Sequence, residues 1–411
     1  MTTPVALRIA LVNWSRGVSG GTERYLAALA PRLVAAGHAV AAVFESDAAP
    51  GAATIDGGDP RIARAIGGGG AAERFLRDWA PDVVYLHGIR SLETERALVT
   101  AFPAVLFAHS YYGTCATGTK RHTRPEIAMC SRTLGPACLA LDYLRGCGIA
   151  DPAALWRSYR LQTGRRALLG AYRSVAVASR HMRDELARHG VPEERLHVVP
   201  LPTTDFVPDP EPPERRPLTG RILFLGRLTD LKGGAHLIAA VARASAAMGR
   251  RLSLVVAGTG PEENEWRALA ERLRVPAEFP GYVDGARRTA LLREADVIAV
   301  PSLWPEPFGL TGIEAGCAGV PSVAYAVGGI PDWLTPGVSG ELAPGDPPTV
   351  EGFAEALARA LGGPEHRARL ARGAWETARR FSMAHHLGQL VPVLAAAAAG
   401  PGPRRSGPPA A

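Results

Sequence analysis

Short apolar runs alternate with amphipathic stretches along most of the chain. Six runs with the character of buried strands occupy the first 200 residues, near 7–13, 39–44, 82–86, 104–108, 174–178 and 196–199. Four more follow, near 221–226, 252–257, 297–300 and 321–324. Strands that alternate with helices build mostly parallel sheets. The pattern therefore predicts an α/β protein of two doubly wound, Rossmann-like domains that face a central cleft, where ligands would lie.

Composition indicates the domain boundaries. The first domain is predicted over 1–200 and the second over 221–380. Between them, 201–220 is rich in proline, which can continue neither a helix nor a central strand, and this segment is interpreted as a linker. The tail 396–411 contains only Ala, Gly, Pro, Arg and Ser and is predicted to be disordered because it has no large apolar side chain to bury.

The segment Pro301–Pro321 carries the first candidate chemistry. Gly309 allows a turn after a buried strand, and the spacing from Thr311 to Glu314 matches a capping box at a helix start. The free amides of Leu310 and Thr311 would then face a bound anion, because a helix start offers unpaired N–H donors and partial positive charge. Glu306 and Glu314 would flank that anion and accept hydrogen bonds from hydroxyl groups. The alternative is that Glu314 only caps the helix and Glu306 is a solvated loop charge.

A second candidate element lies upstream. A predicted strand ends at Gly226 and leads into Arg227 and Lys232, followed by a helix predicted from about Ala235 to Met248. Lys232 is one of only two lysines in a chain that otherwise uses arginine, so its presence in this loop suggests a specific role. An ammonium group and a planar guanidinium are both suited to phosphate oxygens. The alternative is two exposed basic residues in a loop.

Together these motifs resemble the retaining family 4 glycosyltransferases of GT-B fold. The resemblance rests on Gly226-Arg227 with Lys232 and on the Glu306/Glu314 pair, and it covers about residues 5–395. Further segments match in the expected order: Gly17–Glu23, Val255–Glu262, Gly281–Val283, Ala295-Asp296 and Val327–Asp332. Segment 381–395 is similar to the final helix of that family, which packs back on the first domain.

The resemblance implies a role for each matched residue. Arg227 and Lys232 would neutralise the departing diphosphate, Glu306 and His109 would position the donor sugar, and Glu314 would hold the ribose hydroxyls. We therefore predict four catalytic residues: His109, Arg227, Lys232 and Glu306. The predicted donor-binding residues are Gly20, Gly21, Gly258, Tyr282, Val283, Gly309, Leu310, Thr311 and Glu314. For Tyr282 and Val283, packing at a sheet edge is an equal alternative to a base pocket, and a histidine at a strand end such as His109 is otherwise often structural.

The predicted activity follows from that resemblance. The chain would transfer a hexose-type sugar from a UDP- or GDP-sugar to a glycan, a lipid-linked intermediate or a small molecule, as in polysaccharide biosynthesis, and no metal or other cofactor is required. No residue stands out as a covalent nucleophile, so retention would proceed by front-face displacement. The alternatives are a GT-B nucleotide-sugar epimerase or hydrolase, and a non-catalytic sugar-nucleotide-binding subunit. An NAD enzyme is disfavoured because the first glycine loop lacks the Gly-x-Gly-x-x-Gly spacing.

Composition and net charge indicate where the protein is located and which partners it binds. The chain of 411 residues is 47% hydrophobic, enough for real cores, yet no segment has the apolar length of a membrane span and no signal peptide is recognised. We expect a cytoplasmic protein. Its net charge of +7 suits acidic partners, but the basic residues are scattered and match no nucleic-acid module, so nucleic acid is not expected.

Two features lie outside the motifs. Four cysteines, Cys115, Cys130, Cys138 and Cys147, define an insertion over 115–147 that would shape the acceptor mouth. Their spacing is wider than in many zinc sites, so a structural zinc, two disulfides and unlinked thiols all remain alternatives.

A predicted helix over 154–169 combines aromatic and arginine residues, which suits peripheral contact with an anionic membrane at its inner face or an ordinary solvent-exposed helix face.

Overall fold

The computed structural model of the chain describes residues 6–214 and 216–400. It contains two parallel sheets, one before residue 200 and one after residue 220. The strands of the first half are β1 (Arg8–Ser15), β2 (Ala39–Ser46), β3 (Ile62–Ile66), β4 (Val83–Gly88), β5 (Ala104–Ala108), β6 (Arg121–His122), β7 (Ala128–Met129), β8 (Ser174–Val177) and β9 (Leu196–Val198). Seven of these form one sheet in the order β3-β2-β1-β4-β5-β8-β9, and β6 and β7 form a separate antiparallel hairpin.

The second sheet repeats the same winding. Its strands are β10 (Arg221–Leu225), β11 (Ser253–Ala257), β12 (Ala277–Gly281), β13 (Val297–Val300), β14 (Ser322–Tyr325) and β15 (Gly340–Ala343). They run in the order β12-β11-β10-β13-β14-β15. Each sheet thus reverses direction beside its first strand, which is where doubly wound proteins bind ligands at the carboxyl ends of the strands. The predicted α/β architecture is confirmed.

Helices connect the strands in both halves. In the first half they are α1 (Gly21–Ala35), α2 (Gly70–Trp79), α3 (Leu92–Ala101), α4 (Ala137–Arg145), α5 (Pro152–Leu168) and α6 (Arg180–Arg188). In the second half they are α7 (Gly234–Met248), α8 (Glu263–Arg272), α9 (Gly285–Glu294), α10 (Leu310–Cys317), α11 (Val350–Ala360), α12 (Pro364–Ala378) and α13 (Met383–Ala399). No helix in the described ranges has the length and apolar character needed to cross a membrane.

The sequence pattern did not predict the short hairpin strands β6 and β7, nor three strands that lie at edges of the two large sheets. These strands, β3, β12 and β15, bound the two sheets. An edge strand is covered less completely than a central one, so its apolar signal is weaker. In β3 only Ile62 is buried and the other positions are partly buried or exposed, and β12 contains Pro280, a residue tolerated mainly at edges. Central strands such as β5 are buried at every position, which explains why they were recognised.

The end of the chain differs from its prediction. Helix α13 continues to Ala399, so the segment predicted to be disordered from 396 begins inside a helix, and residues 401–411 lie outside the described residues. The run of alanines favours helix, and Ala397 is buried against the first half of the chain. The carbonyl of Ala397 accepts a hydrogen bond from the Arg173 guanidinium at 2.5 Å. The final helix therefore packs on the sheet that the first 200 residues build.

Candidate functional site

A cavity of about 800 Å³ opens between the carboxyl ends of the two sheets. Residues from both halves and from the linker line it. Nine of the predicted site residues are among them: Gly20, Gly21, Arg227, Gly258, Tyr282, Val283, Leu310, Thr311 and Glu314. The remaining four, His109, Lys232, Glu306 and Gly309, are not in that lining. Nine of the predicted residues thus form part of the cavity wall, and the other four lie outside it.

Two glycines allow the backbone to form the cavity wall. Gly258 has φ of +144°, and a Cβ atom there would lie 1.8 Å from the carbonyl oxygen of Gly226. Gly309 has φ of +84° and immediately precedes α10. Both conformations are unfavourable for other residues. The loops after β10, β11 and β13 can therefore approach one another closely at this edge of the sheet.

The start of α10 differs from the predicted capping box. Gly309 is the N-cap residue, and no side chain accepts a hydrogen bond from the first helical amides. Glu314 does not reach back as a capping residue, because its carboxylate accepts a hydrogen bond from Arg288 instead. Leu310 and Thr311 line the cavity, so the unsatisfied helix start lies at its wall. Such a start favours a bound anion.

Glu306 is buried among polar side chains rather than exposed to solvent. The residue is 6% exposed, and one oxygen, Oε1, accepts hydrogen bonds from Lys232 Nζ at 2.6 Å, Ser302 Oγ at 2.6 Å and Trp304 Nε1 at 3.1 Å. Burial alone would raise the pKa of Glu306, but the Lys232 charge and these hydrogen bonds outweigh it and the pKa is lowered. Glu306 and Lys232 are thus an ionised, partly buried pair behind the cavity.

Glu314 has the opposite electrostatic balance. Burial raises its pKa and is the largest cause, only partly opposed by the Arg288 charge, while nearby Asp205 adds to the rise. The Arg288 guanidinium also lies 4.5 Å above the Phe206 ring. Arg288, Asp205 and Phe206 all line the cavity and were not predicted. Two of them belong to the segment interpreted as a linker, whose sequence gives no sign of this contact.

His109 lies just beyond β5 among aromatic rings. Its Nε2 is 3.0 Å from Nδ1 of His87, and its ring lies 5.6 Å from that of Tyr25, a cavity-lining residue. Burial, with a smaller contribution from His386, lowers the pKa of His109 to about 3. His109 is therefore a neutral imidazole beside the cavity.

Contacts between the two halves hold the Glu306 loop in place. The Tyr111 hydroxyl donates to the carbonyl of Pro305 at 2.6 Å, and the Ser179 hydroxyl donates to that of Pro307 at 2.6 Å. Tyr111 and Ser179 belong to the first half of the chain. No motif marked them, because their partners are backbone carbonyls more than 100 positions away in the sequence.

The cysteine-containing insertion contacts the second domain. Arg121 in β6 donates to the Asp230 carboxylate at 2.6 Å, in the same loop as Arg227 and Lys232. The four cysteine thiols are free in the structure. Within 6–214 and 216–400, no group of three or more His, Cys, Asp or Glu side chains is arranged as a metal site. Arg121 thus gives the insertion a physical link to the predicted phosphate loop.

Two family models match the chain. Residues 19–203 match the model described as Glycosyltransferase Family 4, and residues 211–377 match the one described as Glycosyl transferases group 1. The matches cover most of the first and second sheets, respectively.

Curated relatives match over part of their length. A D-inositol 3-phosphate glycosyltransferase from Corynebacterium glutamicum (strain R) is 37% identical over 177 residues, which is 41% of this chain and 41% of that protein. A protein of the same description from Kribbella flavida is 32% identical over 262 residues, 58% of this chain and 59% of that protein. The chain therefore spans less than two-thirds of the length of these relatives.

The architecture is also found in solved structures. Anabaena Alr3699/HepE in complex with UDP and glucose has a TM-score of 0.65 with this chain at 17% identity, covering 95% of this chain and 100% of that one. At this identity the likeness concerns the fold.

Acid should destabilise this fold through its buried histidines. Burial lowers the pKa of His87 far below 6.5, that of His109 to about 3 and that of His386 to about 4. As the pH falls below about 6.5, the unfolded chain binds protons that the folded chain does not. Each histidine then removes roughly 1.4 kcal/mol of stability per pH unit. We expect the free energy of unfolding, measured with urea, to fall steeply between pH 7 and pH 5.

Two substitutions separate this effect from general acid sensitivity. His87→Phe should reduce the slope by roughly 1.4 kcal/mol per pH unit, the contribution of one proton. His385→Phe changes an exposed residue next to His386 and should leave the slope as it is. An unchanged slope in His87→Phe would contradict a neutral, buried His87.

Proposed function

Since the chain belongs to glycosyltransferase family 4, with the two-domain GT-B fold, we propose that it transfers a hexose-type sugar from a nucleoside diphosphate sugar. UDP- and GDP-sugars are the proposed donors, and a glycan, a lipid-linked intermediate or a small molecule is the acceptor. One observation carries this proposal. Arg227 is exposed, lines the cavity and has no ion-pair partner in residues 6–214 and 216–400, while the uncapped start of α10 lies in the same wall. An unpaired guanidinium beside a free helix start favours a diphosphate.

The proposed roles follow from the charges around the cavity. Arg227, Lys232 and the α10 N-terminus would stabilise negative charge that develops on the departing diphosphate. The chain's own groups would supply this positive charge, so we propose that transfer needs no metal. Glu314 would accept hydrogen bonds from ribose hydroxyls. The three hydrogen bonds to Glu306 all reach Oε1, and Oε2 has no partner in the described residues. We propose that Oε2 contacts the donor sugar.

Nucleotide binding should disappear when the predicted phosphate contacts are removed. We expect one of UDP, GDP, ADP and dTDP to raise the Tm of the intact protein, since ligand at a hundredfold excess over Kd contributes roughly 2.7 kcal/mol. Arg227→Ala and Lys232→Ala each remove a charge-assisted hydrogen bond of roughly 1.5–3 kcal/mol. In both variants the ligand-induced shift should therefore fall to about half or less at the same nucleotide concentration.

A surface arginine of the same domain provides the control. Arg243 is exposed and pairs with Glu351 at 2.9 Å. Arg243→Ala should keep the full nucleotide-induced shift. The variants are compared by the ligand-induced change in Tm and not by the Tm without ligand. Lys232→Ala also leaves Glu306 without its cation, and this affects the Tm without ligand. A normal shift in Arg227→Ala would exclude the proposed diphosphate site.

The transfer is proposed to retain the anomeric configuration. Both glutamates of the predicted motif are engaged with cations and so are poorly suited to act as a covalent nucleophile, because Glu306 pairs with Lys232 and Glu314 with Arg288. Front-face displacement assisted by the leaving phosphate is therefore the proposed route.

Proton NMR of the first-formed product should show the anomeric configuration of the donor. The rate of transfer should be unchanged in excess EDTA. Clean inversion would contradict retention. Conversion or hydrolysis of the donor with every acceptor tested would instead favour an epimerase or hydrolase.

We further propose peripheral contact with an anionic membrane on the cytoplasmic side. Large exposed apolar side chains occur on α4 and α5: Tyr143 is 42% exposed, Leu144 70% and Trp156 50%. Arg157 and Arg160 are exposed on α5 beside Trp156. Apolar side chains with flanking cations favour an anionic lipid surface.

Flotation with vesicles that contain phosphatidylglycerol should recover the protein, and flotation with phosphatidylcholine alone should not. Replacing both Leu144 and Trp156 by Ser should abolish the recovery. Val338→Ser, which changes an apolar residue 52% exposed in the second domain, should not affect it. Equal recovery of all variants would argue against this surface.

A further inference from the structure

Two histidines from neighbouring strand ends face each other beside the cavity. His87 lies in β4 and His109 follows β5, and these two strands pair in the first sheet. Nδ1 of His87 and Nε2 of His109 are 3.0 Å apart, a hydrogen-bond distance. A single proton must lie between these two nitrogens, because one has to donate and the other accept.

The surroundings keep both rings uncharged. His87 is 5% exposed, and the aromatic rings of Tyr25, Tyr85 and Phe107 pack around the pair. Burial lowers the pKa of both histidines well below 6.5. The third histidine of this region, His386, donates from Nδ1 to the carbonyl of Pro200 and accepts at Nε2 from the Tyr25 hydroxyl, so it supplies no proton to the pair.

The unshared nitrogens decide which histidine donates. Nε2 of His87 is buried and has no hydrogen-bond partner in the described residues. If His109 donated, the proton of His87 would lie on this nitrogen as a buried, unpaired N–H group. If His87 donates, only a lone pair is left without a partner. Orphaned buried N–H groups are the rarer of the two in folded proteins.

We infer that His87 is a positioning residue: it donates from Nδ1 to Nε2 of His109 and thereby fixes the proton of His109 on Nδ1. Nδ1 of His109 is not among the buried unpartnered atoms, and the residue as a whole is only partly buried, so this N–H reaches accessible space near Tyr25. In this arrangement neither nitrogen of His109 has a free lone pair. His109 then acts only as a hydrogen-bond donor and never as a base.

This inference rests on the proposed function only where it concerns a bound sugar. If the cavity holds a donor sugar, the Nδ1–H group of His109 would donate to one of its oxygen atoms. The proton position itself is a property of the free protein and is measured without any substrate.

Nitrogen-15 NMR of the full chain with labelled histidine tests the proton position. In long-range proton–nitrogen spectra at pH 7, Nδ1 of His109 should show a pyrrole-type shift and Nε2 a pyridine-type shift. The signals are assigned by their loss in His109→Gln. The reverse pattern in the intact protein would overturn the inference.

Three variants separate positioning from packing. His87→Phe removes the donor, so His109 should revert to the Nε2–H form that neutral imidazole prefers in water, and donor turnover should fall about tenfold, the effect of one hydrogen bond. His87→Asn places an amide donor at the same position and should restore the Nδ1–H form and most of the turnover. His38→Phe is the matched control, since His38 is 7% exposed and accepts a hydrogen bond from the Leu7 amide at the amino ends of the strands, away from the cavity.

The outcomes are distinct. An unchanged His109 tautomer in His87→Phe, or no rescue by His87→Asn, would reduce His87 to a packing role and overturn the inference. If His87→Phe does not fold, the spectra of the intact protein and of His87→Asn still decide. The predicted tautomers in a protein that binds no nucleotide would uphold the positioning role and reject the proposed function.

Discussion

The ion pair between Lys232 and Glu306 joins the two loops on which the cavity depends. One loop follows β10 and the other follows β13, and these strands are neighbours in the second sheet. The backbone reinforces the junction, because the amide of Leu303 donates to the carbonyl of Leu231 at 2.8 Å. Removing Lys232 would leave the buried Glu306 carboxylate without its counter-charge, which is unfavourable. The pair therefore holds the cationic loop against the segment that leads into α10, and the two elements proposed to bind the anion keep a fixed separation.

A second junction ties the last helix to the first domain. The Tyr25 hydroxyl of α1 donates to Nε2 of His386 in α13 at 2.8 Å, and Nδ1 of His386 donates to the Pro200 carbonyl at 2.8 Å. The carbonyl fixes the tautomer of His386, which in turn fixes the direction of the Tyr25 hydroxyl. One side chain thus connects α1, the linker and the final helix. Because Tyr25 also lines the cavity, the packing of α13 bears directly on the shape of the first-domain wall.

Sequence reasoning succeeded where a single segment contains its own physical cause. Central strands such as β5 are buried on both faces, so an unbroken apolar run identified them, whereas the edge strands β3, β12 and β15 gave no such run. The glycine at 309 and the cations at 227 and 232 were found from local spacing. The partners of Glu314 could not be found in this way, because Arg288 is 26 residues away. The capping box was wrong because α10 begins at Leu310, so that Glu314 is the fifth helical residue and not the third, and its carboxylate pairs with Arg288.

The proposed diphosphate would meet cations on both sides of the cavity. Within the described residues, Arg227 in the second-domain wall has no ion-pair partner and shares that wall with a free helix start, backed by an ionised Lys232–Glu306 pair. On the first-domain side Arg24 lines the cavity, while the histidines beside it are neutral and lie among aromatic rings. A protonated His109 would attract the diphosphate toward the first domain, since unit charges a few ångströms apart interact by several kcal/mol in such surroundings. Burial removes that competing charge. In the proposed complex the diphosphate would therefore face arginines and the free helix start rather than a charged imidazole, and His109 would be left to the sugar, whose hydroxyl groups need hydrogen-bond donors rather than charge.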